Sequence, residues 1–240
     1  MVATINKLEI TVGQLVTERP ARARIFESFG IDYCCGGKKP LAQAIREKGL
    51  DEKAVVGVLD AFDEATPQVE RNWAEASLTE LADHIEQTHH AYLKTELPRL
   101  QFLVNKVAAR HGEARPKLVE VAHIFAALKE EMDSHMMKEE QILFPICRQL
   151  ETDGAPRSFH CGSVQNPIAV MIREHDHAGD ALKQMRELTD EYAVPSDACG
   201  TYRALFDSLR QLELDMHRHV HKENSILFPK AVAAEANLVV

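Results

Sequence analysis

His135-Met136-Met137-Lys138-Glu139, followed by Phe144-Pro145 nine and ten residues after the histidine, returns later in the chain as His219-Val220-His221-Lys222-Glu223 followed by Phe228-Pro229 at the same spacing. In each copy the histidine and glutamate stand at i and i+4, which on a helix puts them on one face with Cβ atoms roughly 5–6 Å apart. Another carboxylate lies one turn earlier on that face, Glu131 in the first copy and Asp215 in the second. A single such pair reads as a solvated His–Glu contact. Its repetition, down to the Phe-Pro that would stop each helix, points to two inward-facing pairs on duplicated helices. That arrangement suits a carboxylate-bridged two-metal centre inside a bundle.

The 240-residue chain has room for one large domain, or for a small domain beside a medium one. With 45% hydrophobic and 27% charged residues it can bury an ordinary core. A net charge of -9 argues against a general nucleic-acid binder, which would carry a basic face. No apolar run approaches the roughly 20 residues that span a bilayer, so no membrane segment is expected. The N-terminal stretch, interrupted by Glu9, lacks the apolar centre of a signal peptide. Five cysteines, an odd number, do not suggest a disulfide framework, and a reducing cytoplasm is the expected compartment. Twelve histidines are the compositional outlier, and their placement carries most of the information.

No long stretch alternates apolar and polar residues as a strand would, so the chain is expected to be all-α. Residues 1–65 read as a small helical domain. Its second helix is opened by Pro20 and closed by Gly30, Gly49 closes a third, and Asp51 caps a fourth. The cysteine pair Cys34-Cys35 sits in a loop marked by Gly36, Gly37 and Pro40. Residues 66–76, with Pro67 and mixed charges, read as a linker. Ser77-Leu78-Thr79-Glu80 is a capping-box signature that opens a second domain over 77–232, with 233–240 left as a tail. There the first long helix is expected to run to about Arg110 with a bend near Pro98, and the second from Pro116 to about Phe144. Asn166-Pro167 would cap and open a third helix reaching about Tyr192, and Pro195-Ser196-Asp197 would introduce a fourth ending at Phe228-Pro229. Four such helices form an up-down-up-down bundle.

The first and third bundle helices each offer a histidine near their start, His84 and His175. In an antiparallel hairpin the start of one helix faces the end of the next, so both can reach the level of His135 and His219. The remaining histidines separate by angle. His217 and His221 stand two residues from His219, roughly 200° round the helix, and His177 fails against His175 in the same way. Counted from His84, His90 points away and His89 is marginal. His123 lies about three turns from His135, and His111 and His160 fall in connections.

These residues carry a resemblance. The run Gly30-Ile31-Asp32-Tyr33-Cys34-Cys35-Gly36-Gly37 is similar to the N-terminal signature of the repair-of-iron-centres (RIC) family of di-iron proteins, the ScdA/YtfE type, whose C-terminal domain is hemerythrin-like. The run Ser134-His135-Met136-Met137-Lys138-Glu139-Glu140-Gln141-Ile142-Leu143-Phe144-Pro145 matches its bundle motif, and the likeness extends over nearly the whole chain. It implies two iron ions, oxo- or hydroxo-bridged, with His84, His135, His175 and His219 as terminal ligands and Glu139 and Glu223 as bridges. Glu131, Glu174 and Asp215 become candidates to orient histidines or guide iron. The segment Ser158-Phe159-His160-Cys161-Gly162-Ser163 departs from the pattern and leaves the role of Cys161 open.

Adjacent Cys34 and Cys35 could close a labile vicinal disulfide, accept iron or NO as thiolates, or simply pack in a tight loop. Cys147 and Cys199 read as packing residues. The resemblance implies repair of iron-sulfur clusters damaged by nitrosative or oxidative stress, by donation of iron from a labile centre with Cys34 and Cys35 assisting. Damaged cluster proteins would be the partners, and a homodimer could form through the N-terminal domain. The alternatives are a hemerythrin-like protein that binds NO or O₂, and a di-iron nitric oxide reductase.

Overall fold

A computed structural model of the chain describes residues 6–65, 71–152 and 159–238. It is all-α: among the described residues the only β pairings are two isolated bridges, Thr11 with Pro40 and Phe159 with Gly162. The expected linker lies partly outside the described residues, at 66–70.

The N-terminal domain packs α1 (Val12–Glu18), α2 (Ala23–Ser28), α3 (Leu41–Glu47) and α4 (Glu52–Ala65) around Leu15, Phe26, Tyr33, Leu41, Ile45 and Leu59. The local signals act as read: Gly30 and Gly49 adopt left-handed φ of 64° and 66° behind their helices, and the Asp51 carboxylate accepts from the Ala54 amide. Pro20 opens a short 3₁₀ turn that runs into α2. Buried Arg22 and the Lys7 ammonium both bind Asp63, tying the 3₁₀ turn before α2 and the Lys7 segment to the end of α4.

The bundle has four rods. The first joins α5 (Leu78–Ile85), a π-helical turn (Glu86–His90) and α6 (Ala91–His111); the Ser77/Glu80 capping box starts it and Pro98 lies within it. The second joins α7 (Lys117–Lys138), a π turn (Glu139–Leu143) and α8 (Phe144–Gln149). The third is α9 (Gln165–Leu188), and the fourth joins α10 (Gly200–Lys222), a π turn (Glu223–Leu227) and α11 (Phe228–Leu238). Rod one packs on rods two and four, and rod two on rod three.

Helix ends differ from expectation where proline is involved. Phe144-Pro145 and Phe228-Pro229 do not stop their helices, because the π turn before each one shifts the hydrogen-bond ladder. The Phe144 amide donates to the Glu139 carbonyl and the Phe228 amide to that of Glu223, five residues back. Each proline then occupies the second position of a renewed α-helix, within the first turn where a missing N–H costs little. The fourth rod therefore continues through much of the expected tail. Likewise α9 begins at Gln165, so Pro167 sits third in the first turn rather than first.

Two apolar clusters fill the bundle. One is built on Leu93, Leu97, Met132, Met136, Leu182, Met216 and Val220, the other on Leu81, Ile85, Leu143, Phe144, Met171, Leu227 and Phe228. Between them, on all four rods, lies a polar layer. The N-terminal domain presses its cysteine loop onto this level of the bundle. Cys34 belongs to the first apolar cluster, His221 Nδ1 lies 3.3 Å from the Tyr33 carbonyl oxygen, and Cys35 Sγ is 3.5 Å from the His175 carbonyl oxygen. Close approach explains Gly13, where a Cβ would stand 2.8 Å from Ser225 Oγ, and Gly37, where it would stand 2.5 Å from the Tyr33 oxygen.

Candidate metal centre

The polar layer holds four histidines and two glutamates, His90, His135, Glu139, His175, His219 and Glu223, none more than 1% exposed. They form two groups, His90/Glu139/His219/Glu223 and His135/Glu139/His175/Glu223, in each of which one ligand atom per residue lies within 4.8 Å of the others. Both glutamates belong to both groups. Glu139 Oε2 is 3.2 Å from His90 Nε2 and 3.3 Å from His135 Nε2. Glu223 places Oε2 3.0 Å from His175 Nε2 and Oε1 2.8 Å from His219 Nε2.

Crowded as they are, these atoms are poorly satisfied by one another. His90 Nε2, both oxygens of Glu139 and Glu223 Oε2 are buried without a hydrogen-bond partner, and His135 Nε2 faces His175 Nε2 at 3.2 Å. Buried polar atoms are almost always paired, so lone pairs converging on shared points are the arrangement a cation requires. Charge gives the same answer. Two buried carboxylates must be neutralised, since the penalty for an uncompensated ion in an apolar interior is several kcal/mol. Without a cation that demand falls on protons: burial opposes the His135 imidazolium, but Glu139, Glu174 and Glu223 outweigh it and hold its pKa up to about 10. Four imidazoles with two shared carboxylates are a donor set that suits transition-metal cations.

Outward-facing nitrogens are oriented as metal-binding histidines usually are. His90 Nδ1 meets Glu140 Oε1 at 2.8 Å, His135 Nδ1 meets Glu174 Oε2 at 2.9 Å, and His175 Nδ1 meets Asn224 Oδ1 at 3.0 Å. His219 Nδ1 is buried with no such partner.

Of the residues expected at the site, the structure brings together His135, Glu139, His175, His219 and Glu223, with Glu174 behind His135. It does not bring His84. That ring stacks on Trp73, with centroids 3.8 Å apart, and lines a cavity of about 300 Å³ between the N-terminal domain and the bundle. His90 takes the position instead. The expectation started from the wrong histidine of the rod: His84 and His90 do point different ways, but the inward one is His90, three and seven residues before the core residues Leu93 and Leu97. Spacing carried the same signal, since His90 precedes His135 by 45 residues and His175 precedes His219 by 44, against 51 counted from His84.

Glu131 faces solvent, because the buried stripe of α7 steps through Leu128, Met132 and His135 and leaves it outside. Asp215 binds His89, whose ring stacks on His219 at 5.3 Å, and so reaches the layer only through a further histidine. His221, expected on the outer side, is buried against the cysteine loop. Glu140 and Asn224 went unread, although each directly follows a glutamate of the repeated motif.

Fold and site together define a cation-binding bundle of the hemerythrin type. Residues 81–231 match the Hemerythrin HHE cation binding domain, and residues 8–63 match ScdA_N, a domain of unknown function. The chain is 36% identical over 224 residues to the iron-sulfur cluster repair protein YtfE of Enterobacter sp. (strain 638). It is 35% identical over 224 residues to the YtfE proteins of Escherichia coli O157:H7 and Citrobacter koseri. Each match covers 93% of this chain and 97% of the relative. The chain belongs to the YtfE family. Among its described residues no helix is long and apolar enough to cross a membrane.

Proposed function

We propose that this protein repairs damaged iron-sulfur clusters by giving up iron from its bundle, in the cytoplasm and in response to nitrosative or oxidative stress. The observation that carries the reading is the buried layer of His90, His135, Glu139, His175, His219 and Glu223, with its unpartnered acceptor atoms, in a chain whose relatives are named iron-sulfur cluster repair proteins. Two iron ions would be the cargo: His90 and His219 would hold one and His135 and His175 the other, with Glu139 and Glu223 within reach of both. Such a centre can change oxidation state and can bind NO or O₂ at positions the six side chains do not fill.

This chain's own residues make the cargo releasable. Six side chains supply fewer donors than two six-coordinate ions need, and both ions depend on the same two carboxylates. Protonation of the histidines competes directly with the metal, since the surrounding carboxylates raise the proton affinity of His135 and His90. Glu174 and Glu140 hold the outer nitrogens of His135 and His90, so reloading finds the rings already aimed. Cys34 and Cys35, against the backbone of His175, assist the passage of iron.

The test mixes iron-loaded protein, anaerobically, with a [4Fe-4S] dehydratase inactivated by NO. Dehydratase activity should return as the absorption of the iron centre falls. If the iron absorption persists while activity stays lost, donation is refuted.

A further inference from the structure

The cysteine loop carries a second cluster that the bundle chemistry does not use. Asp32, Cys34 and Cys35 each place a potential donor atom within 4.8 Å of the other two. The two Sγ atoms are 3.9 Å apart, and Cys34 Sγ is 3.1 Å from Asp32 Oδ1. Two thiolates on one tetrahedral ion with metal–sulfur bonds of about 2.3 Å stand about 3.8 Å apart, so the sulfurs are already at that spacing. A disulfide needs about 2.05 Å, so the two sulfurs are not at bonding distance from each other.

The loop holds this geometry by its backbone. The Cys34 amide donates to Asp32 Oδ1 and the Gly36 amide to Asp32 Oδ2, which aims the carboxylate at the sulfurs. All three residues line an open cleft of about 750 Å³ between the N-terminal domain and the bundle, with Asp176 and Asp180 among its walls. On the other side, Cys35 Sγ rests on the His175 carbonyl oxygen and 3.4 Å from where a Cβ on Gly179 would stand. The cluster thus lies between a solvent-open cleft, whose walls carry carboxylates and also Lys39, Lys48, Lys183, Arg186 and Arg210, and the backbone of a histidine of the buried layer.

We propose that Asp32, Cys34 and Cys35 form a separate mononuclear site for a thiophilic divalent cation, open to the cleft at its fourth position. Binding replaces two S–H bonds by two metal–sulfur bonds and releases two protons to solvent, and no electron changes hands. The protein without a cation holds Cys34 as the thiol, because its hydrogen bond to Cys35, burial and Asp32 all disfavour the thiolate. Metal and proton therefore compete at this site. That the ion is ferrous iron on its way to or from the bundle rests on the repair reading; the site itself does not.

The test uses iron-loaded full-length protein, reduced and anaerobic, titrated with Cd²⁺ while thiolate-to-metal charge-transfer absorption and proton release are followed. One equivalent of Cd²⁺ should bind with the absorption and release about two protons. Cys35→Ser and Cys34→Ala should abolish the band, and Asp32→Asn should weaken binding by about tenfold or more. Cys161→Ser and Cys199→Ser should keep it, and since the band reports thiolate–metal bonds, which the His/Glu layer cannot supply, failure here is distinguishable from failure of the bundle site. Absence of the band in protein whose five thiols titrate as free overturns the proposal. So does a band that survives Cys35→Ser and Cys34→Ala.

Discussion

The two ligand groups of the bundle share Glu139 and Glu223 but are supported differently. Around His135 and His175 both outer nitrogens are held, by Glu174 and Asn224. Around His90 and His219 only one is, by Glu140, while His219 Nδ1 is buried unpartnered beside the stacked ring of His89. The duplicated motif thus yields a nearly symmetric inner layer inside an asymmetric frame. Symmetry in such a site resides in the residues that touch the ion, because their chemistry admits few substitutes. The next layer needs only some acceptor within reach, and each hairpin has found its own.

The largest effect tests the shared part of that comparison. Glu139→Ala or Glu223→Ala should each strip most iron from both groups, as measured by metal analysis after gel filtration, whereas His177→Ala, at an exposed position, should retain it. Equal retention in all three would break the assignment. Next, His90→Ala should lose about half the iron and His84→Ala almost none; the reverse result would restore His84 and overturn the geometry. Asymmetry of the frame is sharpened by Glu140→Gln and Glu174→Gln, each expected to weaken metal affinity by about 10–100-fold, with Asn224→Ala weaker in effect and Glu131→Gln without effect.

The smallest effect contrasts the bundle with the N-terminal domain, whose fold leans on an ion-pair cluster. Burial raises the Asp63 pKa, but Arg22 and Lys7 outweigh it and bring it from 3.8 to about 2. A carboxylate depressed on folding stabilises above its unfolded pKa and loses that contribution as pH falls through the folded one. Asp63→Asn should therefore cost roughly 2 kcal/mol at neutral pH, measured by denaturant unfolding, and the difference from the parent should shrink between about pH 4 and pH 2.

How much was legible in the sequence follows the range of the forces involved. The capping box at Ser77/Glu80, the glycines behind α2 and α3 and the Asp51 cap act within one turn, and they read correctly. His135/Glu139 and His219/Glu223 do converge in the buried layer, and the signals that paired them, i, i+4 geometry and the repeat, are both local. His84 misled because its helical face can be judged only against the core stripe of the whole rod, and a π turn interrupts that rod at Glu86–His90. The Phe-Pro pairs misled for a related reason: proline stops a regular α-helix, and here the ladder changes register one residue before it.

By itself the sequence determined an all-α chain, a small cysteine-bearing domain ahead of a bundle, and a paired His/Glu chemistry within it, because helix period, caps and repeats are written in neighbouring residues. Only the tertiary structure decided that His90 closes the inner layer and that Glu140, Glu174 and Asn224 brace it. It also decided that the cysteine loop lies against His175. Those facts depend on which faces of distant helices meet, and burial and packing across the bundle set that, not any stretch of chain alone.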